Sequence, residues 1–283
     1  MLIAVGLVVT PAGLTLPSRN GLIAAQGTGG GPNNSSLWLV GASAKFVGLG
    51  FNPAWSPDGK WLAYGEPHAI EIARVQGMRL TGRRVLVRQR DRFHPVGDPA
   101  WSGDGKYVVY AQGDFGGDIY KARVSDGRTF RLTHAPRGLR YLGPAWSPDN
   151  RTIAFDACNA SGSRCALDFM DADGSHVRVV LSRPGTAFIR PKWSPDGRKI
   201  GLTRDVNFRE QAEILDLASH KLRSLSDESE HFDAWSPGGR RILIWVSGDF
   251  DGCTDRLAVT TESGHVVRYL SCEFVAGDWQ PVS

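Results

Sequence analysis

Several polar side chains stand a few residues ahead of a tryptophan. Asn52, Asp98 and Arg190 each precede a tryptophan by three positions, His231 by four and Tyr141 by five. An amide, a carboxylate, a guanidinium, an imidazole and a phenol together can orient a small polar ligand or the end of a peptide. His94 lies in a comparable segment. These six residues are the candidate ligand site, provided that the fold brings their segments together.

Catalysis is a second interpretation of the same residues. Asp98, Arg190, His94 and His231 could serve a lyase or hydrolase acting on a polar or saccharide substrate. The chain contains no G-x-S-x-G, H-E-x-x-H or G-x-x-x-x-G-K-[ST] motif, and its seven histidines never form a close pair. We therefore expect no catalytic residues, no metal and no cofactor.

A repeat organises these segments. The motif A-W-S-P-D-G, or a close variant, recurs around Trp55, Trp101, Trp146, Trp193 and Trp235, and a shortened copy contains Trp279. The spacings are 46, 45, 47, 42 and 44 residues. A period of this size is typical of a four-stranded propeller blade.

The sequence between the tryptophans reads as strands. Segments of alternating apolar and polar residues, rich in Val, Ile, Leu and Tyr, follow each S-P-D-G turn. Gly and Pro number 34 and 16, which suits many tight turns. An all-β fold of four-stranded antiparallel blades is predicted, with the six tryptophans packed between blades. An aromatic platform for a ligand is the alternative role for them.

The two ends of the chain complement each other. Residues 20–50 supply three strands without a first one, and residues 274–281 supply a first strand alone. Pairing them gives a six-bladed ring closed by the C-terminal strand, which leaves no unpaired sheet edge at the junction. In that ring, the segments that carry the candidate site line one end of a central channel.

The repeat resembles the PD40 (WD40-like) repeat of TolB-like six-bladed propellers. The resemblance covers residues 19–281, with Gly103, Asn150 and Gly238 as departures from the S-P-D-G pattern. It implies a propeller with a ligand site in or near the channel. Related propellers of pectate-degrading lyases use several channel histidines around a divalent metal, whereas only His94 and His231 could contribute here.

Two domains follow from this pattern: an apolar segment at residues 1–18, and a single propeller at 19–283. The apolar segment is an export signal, a first strand or a tail. Cys158 with Cys165, and Cys253 with Cys272, form two local pairs on predicted hairpins, so we expect two disulfides. Disulfides favour an exported protein, periplasmic, secreted or bound to the cell envelope.

The expected function is a non-catalytic binding module that docks a protein or peptide on one face of the ring. The net charge of +4 is too small to indicate nucleic acid, and we expect a monomer without a membrane span. One dense basic stretch includes Arg83 and Arg84 and extends from residue 79 to 92. Either it protects an exposed sheet edge from aggregation, or it attracts an anionic partner.

Overall fold

The structure of the chain, a computed structural model, describes residues 21–27, 36–89, 96–113, 117–225, 230–250, 253–272 and 274–281. The predicted 1–18 segment and His94 lie outside these residues. Every strand or helix in the described part of the chain is a β-strand, which confirms the all-β class. None of its elements is a helix long and apolar enough to cross a bilayer.

The strands form four-stranded antiparallel sheets in chain order. The first sheet joins both ends of the chain and contains β1 (Ile23–Gly27), β2 (Ser36–Val40), β3 (Ala44–Leu49) and the last strand, β24 (Phe274–Trp279). The second contains β4 (Phe51–Trp55), β5 (Trp61–Glu66), β6 (Ala69–Val75) and β7 (Leu80–Arg88). The third contains β8 (Val96–Trp101), β9 (Tyr107–Gln112), β10 (Asp118–Arg123) and β11 (Thr129–Arg131).

Two further groups of four share one sheet through a single parallel bridge between Cys165 and Ala187. One group contains β12 (Leu139–Trp146), β13 (Thr152–Asn159), β14 (Cys165–Asp171) and β15 (Arg178–Leu181). The other contains β16 (Ala187–Trp193), β17 (Lys199–Val206), β18 (Arg209–Asp216) and β19 (Leu222–Ser224). The last sheet contains β20 (Glu230–Trp235), β21 (Arg241–Phe250), β22 (Cys253–Thr261) and β23 (Val266–Cys272).

The S-P-D-G turns are held by their own side chains. The Ser147 hydroxyl donates to Asp149 Oδ1 at 2.6 Å and accepts from the backbone N–H of Thr152 at 2.9 Å. Asp149 Oδ1 also accepts from the N–H of Arg151, and these bonds hold the pKa of Asp149 below its usual value. Serine–aspartate bonds of the same kind close the turns at Ser56, Ser102 and Ser194.

The tryptophans pack between neighbouring sheets. The indole N–H donates to a backbone carbonyl of the preceding sheet in three cases: Trp101 to Ala54 at 3.0 Å, Trp193 to Ala145 at 3.1 Å and Trp235 to Lys192 at 3.1 Å. Trp55, Trp146 and Trp279 are buried, and their Nε1 atoms have no hydrogen-bond partner among the described residues. The tryptophan strands contact one another in series: β4, β8, β12, β16, β20, β24 and again β4.

One predicted disulfide is present in the described residues. Cys158 and Cys165 are bonded across the β13–β14 hairpin, with an S–S distance of 2.04 Å. Cys253 and Cys272 begin β22 and end β23, and their side chains lie outside the described part of the structure.

The basic stretch contains residues of β7, the outermost strand of its sheet. Arg83 donates to the carbonyl of Val47 in the first sheet, and Arg84 to that of Val124 in the third. These two arginines therefore connect the edge of one sheet to both of its neighbours.

Candidate functional site

A bulge in the first strand of each of four strand groups changes the direction of one side chain. The register shifts between Phe51 and Ala54 in β4, and at the equivalent places in β8, β12 and β16. The residues at these bulges have left-handed backbones: Asn52 with φ 47°, Asp98 with 52°, Gly143 with 54° and Arg190 with 56°. Such a φ is unfavourable for side chains other than glycine, and such strain often marks functional sites.

The preceding group of four strands fixes the backbone at two of these positions, Asn52 and Arg190, and at Phe232 in β20. Gln26 Oε1 accepts from the N–H of Asn52 at 3.0 Å, and Asp156 accepts from the N–H of Arg190 at 3.0 and 3.2 Å. Thr203 Oγ1 accepts from the N–H of Phe232 at 3.1 Å. A Cβ at Gly143 would lie 2.8 Å from an oxygen of Asp156, which explains the glycine there.

The four left-handed residues at these bulges line a small cavity of about 60 Å³. Residues of β4, β8, β12, β16, β20 and β24 line it, so six first strands converge on this point. Its charged lining consists of Asp98, Arg190, Lys192 and Asp233. We call this space, together with Asn52, the channel site.

The charges of the channel site do not cancel in pairs. Asn52 Nδ2 donates to Asp98 Oδ1 at 2.7 Å, and that is the only side-chain bond of Asp98 among the described residues. Within the same residues, the Lys192 side chain makes neither a hydrogen bond nor an ion pair, although it lines the cavity. The site therefore offers an anion and a cation that a ligand can engage.

Asp233 adds a second acid. Its side chain is buried, with a relative exposure of 6%, and its Oδ2 has no hydrogen-bond partner. Burial raises its pKa to about 8, against the opposing attraction of Arg190 and Lys192. At neutral pH the Asp233 carboxyl group is thus largely protonated and can donate a hydrogen bond into the cavity.

Two more buried carboxyl groups support the channel site. Asp278 Oδ2 accepts from the N–H of Trp55 at 2.7 Å, and Asp156 accepts from the N–H of Arg190, as described above. Burial raises the pKa of both groups, that of Asp156 to well above its ordinary value. The carboxyl groups of Asp156 and Asp278 therefore position the backbone of neighbouring strands and do not face a ligand.

The Arg190 side chain contacts His231. Arg190 Nη1 donates to His231 Nδ1 at 2.9 Å, and Nε2 on the other side of the ring contacts Glu210 Oε2. Because a guanidinium has no acceptor, His231 carries its proton on Nε2 and donates it to Glu210. This hydrogen bond lowers the pKa of Glu210. The imidazole packs against Trp245, with ring centroids 4.3 Å apart.

The structure brings four of the six predicted residues to or beside the channel site. Asn52, Asp98 and Arg190 line the cavity, and His231 is bonded to Arg190. Tyr141 is instead buried in the core, edge-on to Phe155 at 5.0 Å, because its side chain points between two sheets. The sixth residue, His94, is outside the described chain.

A wider cavity of about 470 Å³ lies at the other end of the same strands. The six repeat tryptophans line it, together with prolines of the turns. Among the described residues, no three His, Cys, Asp or Glu side chains are grouped to hold a metal ion.

Lys192, Asp233 and Asp278 were not among the predicted site residues. All three stand one or two residues before a repeat tryptophan, where other copies read Pro-Ala-Trp. The departure of these three copies from Pro-Ala-Trp, as Pro-Lys-Trp, Asp-Ala-Trp and Gly-Asp-Trp, is the sequence signal that could have identified them. Asp156 was missed as well, although it is a carboxylate inside an apolar strand.

The comparisons with known proteins agree with this architecture. Residues 42–274 match the sequence profile of the TolB beta propeller domain, PD40. TolB from Acinetobacter baumannii superposes with a TM-score of 0.74 at 20% identity, over 94% of this chain and 68% of that one. A putative TolB from Agrobacterium tumefaciens gives 0.66 at 17% identity, over 94% and 100%.

An enzyme also has this fold. An oligogalacturonate lyase in complex with manganese superposes with a TM-score of 0.56 at 16% identity, over 83% of this chain and 70% of that one. At such identities the likeness concerns the fold alone. No match was found among curated protein sequences.

Proposed function

Because the chain belongs to the TolB β-propeller family, we propose that residues 19–283 form a single six-bladed ring. The contact series from β4 through β24 and again to β4 supports a ring, as does the pairing of β24 with β1. The sheet with eight strands counts as two blades, since one bridge alone joins them. The bulged ends of the first strands then form one face, the entry face, and the S-P-D-G turns form the other, the turn face.

The proposed function is a non-catalytic, monomeric binding module that docks a protein or peptide on the entry face. The observation that carries it is the convergence of Asn52, Asp98 and Arg190, each left-handed, on one cavity. Strained residues at equivalent places in three sheets persist only where the surrounding structure holds them. Asp98 has no bond to a cation and Lys192 makes no hydrogen bond among the described residues, so together they suit a peptide end or another ligand with both charges.

The small cavity limits what can enter. About 60 Å³ admits a terminal group or one short side chain, while the rest of a partner must lie on the loops around it. The module is thus expected to bind a segment of a protein rather than to enclose a whole small molecule. No nucleic acid is expected as a partner.

Glycine substitutions test the channel site without straining its backbone. Gly143 already occupies the equivalent left-handed position in β12, so Asn52→Gly, Asp98→Gly and Arg190→Gly remove side chains only. A partner captured from an envelope extract is purified, and its affinity for each variant is measured by calorimetry. We expect the triple variant to bind at least tenfold more weakly, a loss of about 1.4 kcal/mol.

Asn150→Gly is the matched control. Asn150 is also left-handed, with φ 63°, but it lies in a turn on the turn face. The control should bind as the unmodified protein does. Unchanged affinity in the triple variant, or equal loss in the control, contradicts the proposed function.

Export is part of the proposal, with the periplasm, the cell envelope or the secreted fraction as location. The Cys158–Cys165 disulfide supports it, since disulfides are rare in reducing compartments. Mass spectrometry of the protein from its natural source, without reductant, tests both predicted bridges. The mass should be lower than that of the reduced protein by four hydrogens; four free thiols contradict export.

A channel-site enzyme is the second candidate. His231 lies between Glu210 and Arg190, so that movement of Arg190 onto an anionic substrate frees Nδ1 to act as a base. The likeness to an oligogalacturonate lyase in fold makes oligogalacturonate the first substrate to test. Elimination creates an unsaturated uronate with ultraviolet absorbance. Turnover that is lost in His231→Gln would favour the enzyme over the binding module.

A further inference from the structure

Four successive loops on the entry face each present an exposed arginine. Arg137 lies between β11 and β12, Arg164 between β13 and β14, and Arg183 between β15 and β16. Arg209 lies at the β17–β18 hairpin. We call these segments the arginine loops: 132–138, 160–164, 182–186 and 207–209. None of them contains an aspartate or a glutamate.

Within the described part of the chain, no ion pair neutralises the positive charge of the arginine loops. No carboxylate among the described residues pairs with any of the four arginines, and Arg183 alone packs over a ring, that of Phe188 at 6.0 Å. Arg140 lies behind the second loop, and its buried Nε has no hydrogen-bond partner. The loops therefore carry an excess of cations.

Between β10 and β18, this excess belongs to the loops on the entry face. In the same part of the chain, the turn-face loops contain Asp126, Asp149, Asp173 and Asp196 beside their basic residues. Arg83 and Arg84, from the basic stretch of the sequence, are already bonded to neighbouring carbonyls. The arginine loops are thus a basic surface separate from the basic stretch of β7.

The second arginine loop is held rigidly. The Cys158–Cys165 disulfide closes its hairpin, and Cys165 is bridged to Ala187 in the next strand group. Side chains presented on a fixed loop lose less entropy when they bind, so the surface is prepared for a partner.

An aromatic side chain stands beside the last arginine. Phe208 is 97% exposed, and it has a left-handed backbone with φ 63°, next to Asn207 with φ 55°. Two such residues form the tight turn of a hairpin, where glycine is the usual choice and phenylalanine is unusual. Exposed aromatic residues and arginines are the residues that contribute most to protein interfaces.

We propose that the arginine loops and Phe208 bind an acidic segment of a protein partner that also carries apolar side chains. This rests on the proposed function in one respect, because the ring places all four loops on the face of the channel site. Charge complementarity identifies the acidic side chains, and Phe208 identifies the apolar ones. The loops otherwise contain mainly Ser, Gly, Pro and Asn, which suits a protein better than a membrane.

The probe is a fluorescent peptide in which glutamates alternate with leucines. The test variant replaces Arg137, Arg164, Arg183 and Arg209 with glutamine. Each exposed charge pair is worth roughly a factor of two to three, so we expect about thirtyfold weaker binding at low salt. Phe208→Asn, which suits the left-handed turn, should weaken this peptide but not one in which serines replace the leucines.

A control of equal charge lies on the turn face. It replaces Arg128, Arg151, Arg178 and Arg198, all exposed, with glutamine. We expect its affinity to stay within about twofold of the unmodified protein. Equal loss in both variants, or none in either, overturns the proposal. Two double variants, Arg137→Gln with Arg164→Gln and Arg183→Gln with Arg209→Gln, replace the fourfold variant if it does not fold.

Two further measurements separate the alternatives. Arginine-dependent binding to phosphatidylglycerol vesicles or to polygalacturonate, without binding of the peptide, overturns the proposal in favour of those surfaces. Asn52→Gly with Asp98→Gly tests the channel site on the same peptide. If only the arginine variant loses affinity for the peptide, the arginine loops are supported and the channel site is removed from the proposed function. If only the channel variant loses affinity, the channel site is supported and the arginine loops are rejected.

Discussion

Asp156 on β13 accepts the backbone N–H of Arg190, which belongs to the next group of strands, at 3.0 and 3.2 Å. The carboxylate thus holds the left-handed residue that points into the channel site. Gln26 holds the left-handed Asn52 in the same way, and Thr203 accepts from the backbone N–H of Phe232, which also lines the cavity. The shape of the site is therefore set by the second strand of the preceding sheet as much as by the strand that carries the ligand-facing side chain.

Removal of the Asp156 carboxylate should destabilise the protein. Asp156→Ala leaves the N–H of Arg190 without its acceptor, at a cost of about 1–3 kcal/mol. Asp156→Asn retains an amide oxygen as acceptor and should cost clearly less. Urea unfolding of the two variants measures the difference. Equal losses would mean that the hydrogen bond to Arg190 does not matter.

Stability should fall as the pH rises, because of Asp233. Its pKa is about 8 in the folded protein and near 3.8 when unfolded, so between these values the folded state holds a proton that the unfolded chain has released. The contribution is fully present below about pH 4 and is lost by about pH 8, on the order of 5 kcal/mol.

Thermal unfolding of the unmodified protein and of Asp233→Asn across this pH range measures the effect. Asp156 and Asp278 act in the same direction, since burial also raises the pKa of each. For that reason the difference between the two proteins is the relevant quantity. As the pH rises, the stability of Asp233→Asn should increase steadily relative to that of the unmodified protein. A difference in stability that does not vary with pH contradicts a buried, protonated carboxyl group at Asp233.

Two tryptophans that differ in one hydrogen bond allow the contribution of that bond to stability to be measured. Trp235 and Trp146 are similarly buried, at 7% and 9% exposure, but only Trp235 donates to a carbonyl, that of Lys192. Substitution by phenylalanine removes comparable apolar surface from both. Trp235→Phe should cost about 1 kcal/mol more, measured by urea unfolding, because the Lys192 carbonyl loses its donor. A smaller cost at Trp235 than at Trp146 would contradict this assignment.

Deletion of residues 274–283 should unfold or oligomerise the protein. It removes β24, which pairs with β1, and with it Trp279 and the Asp278 oxygen that accepts from Trp55. The exposed edge of β1 would then pair with other chains. Sedimentation and thermal melting measure the result, with a chain ending at Pro281 as control. A monomer with unchanged melting temperature contradicts the closure of the ring.

The sequence was sufficient to predict the strands and their grouping, because the repeat is local. Each Ser-Pro-Asp turn is closed by bonds within a few residues, such as those of Ser147 and Asp149. The polar side chains on the first strand of each group were also predictable, because each lies at a similar distance before a repeat tryptophan. Asn52, Asp98 and Arg190 do reach one cavity.

The rest depends on contacts between distant residues. The spacing to Trp146 does not reveal that Tyr141 points into the core, since a bulge changes which side chains face the channel. The hydrogen bond from the backbone N–H of Arg190 to Asp156 joins residues that are 34 positions apart in the sequence. The shared charge of the arginine loops is recognised only once the fold places these four connections on the same side of the sheets.

The pairing of β24 with β1 also constrains how the protein is made. The first sheet lacks one of its four strands until β24 has been synthesised, so β1 must wait for a strand that is far from it along the chain. Until β24 is in place, β1 keeps an open edge that can pair with the strands of other chains. A chaperone that shields this edge would therefore raise the yield of folded protein.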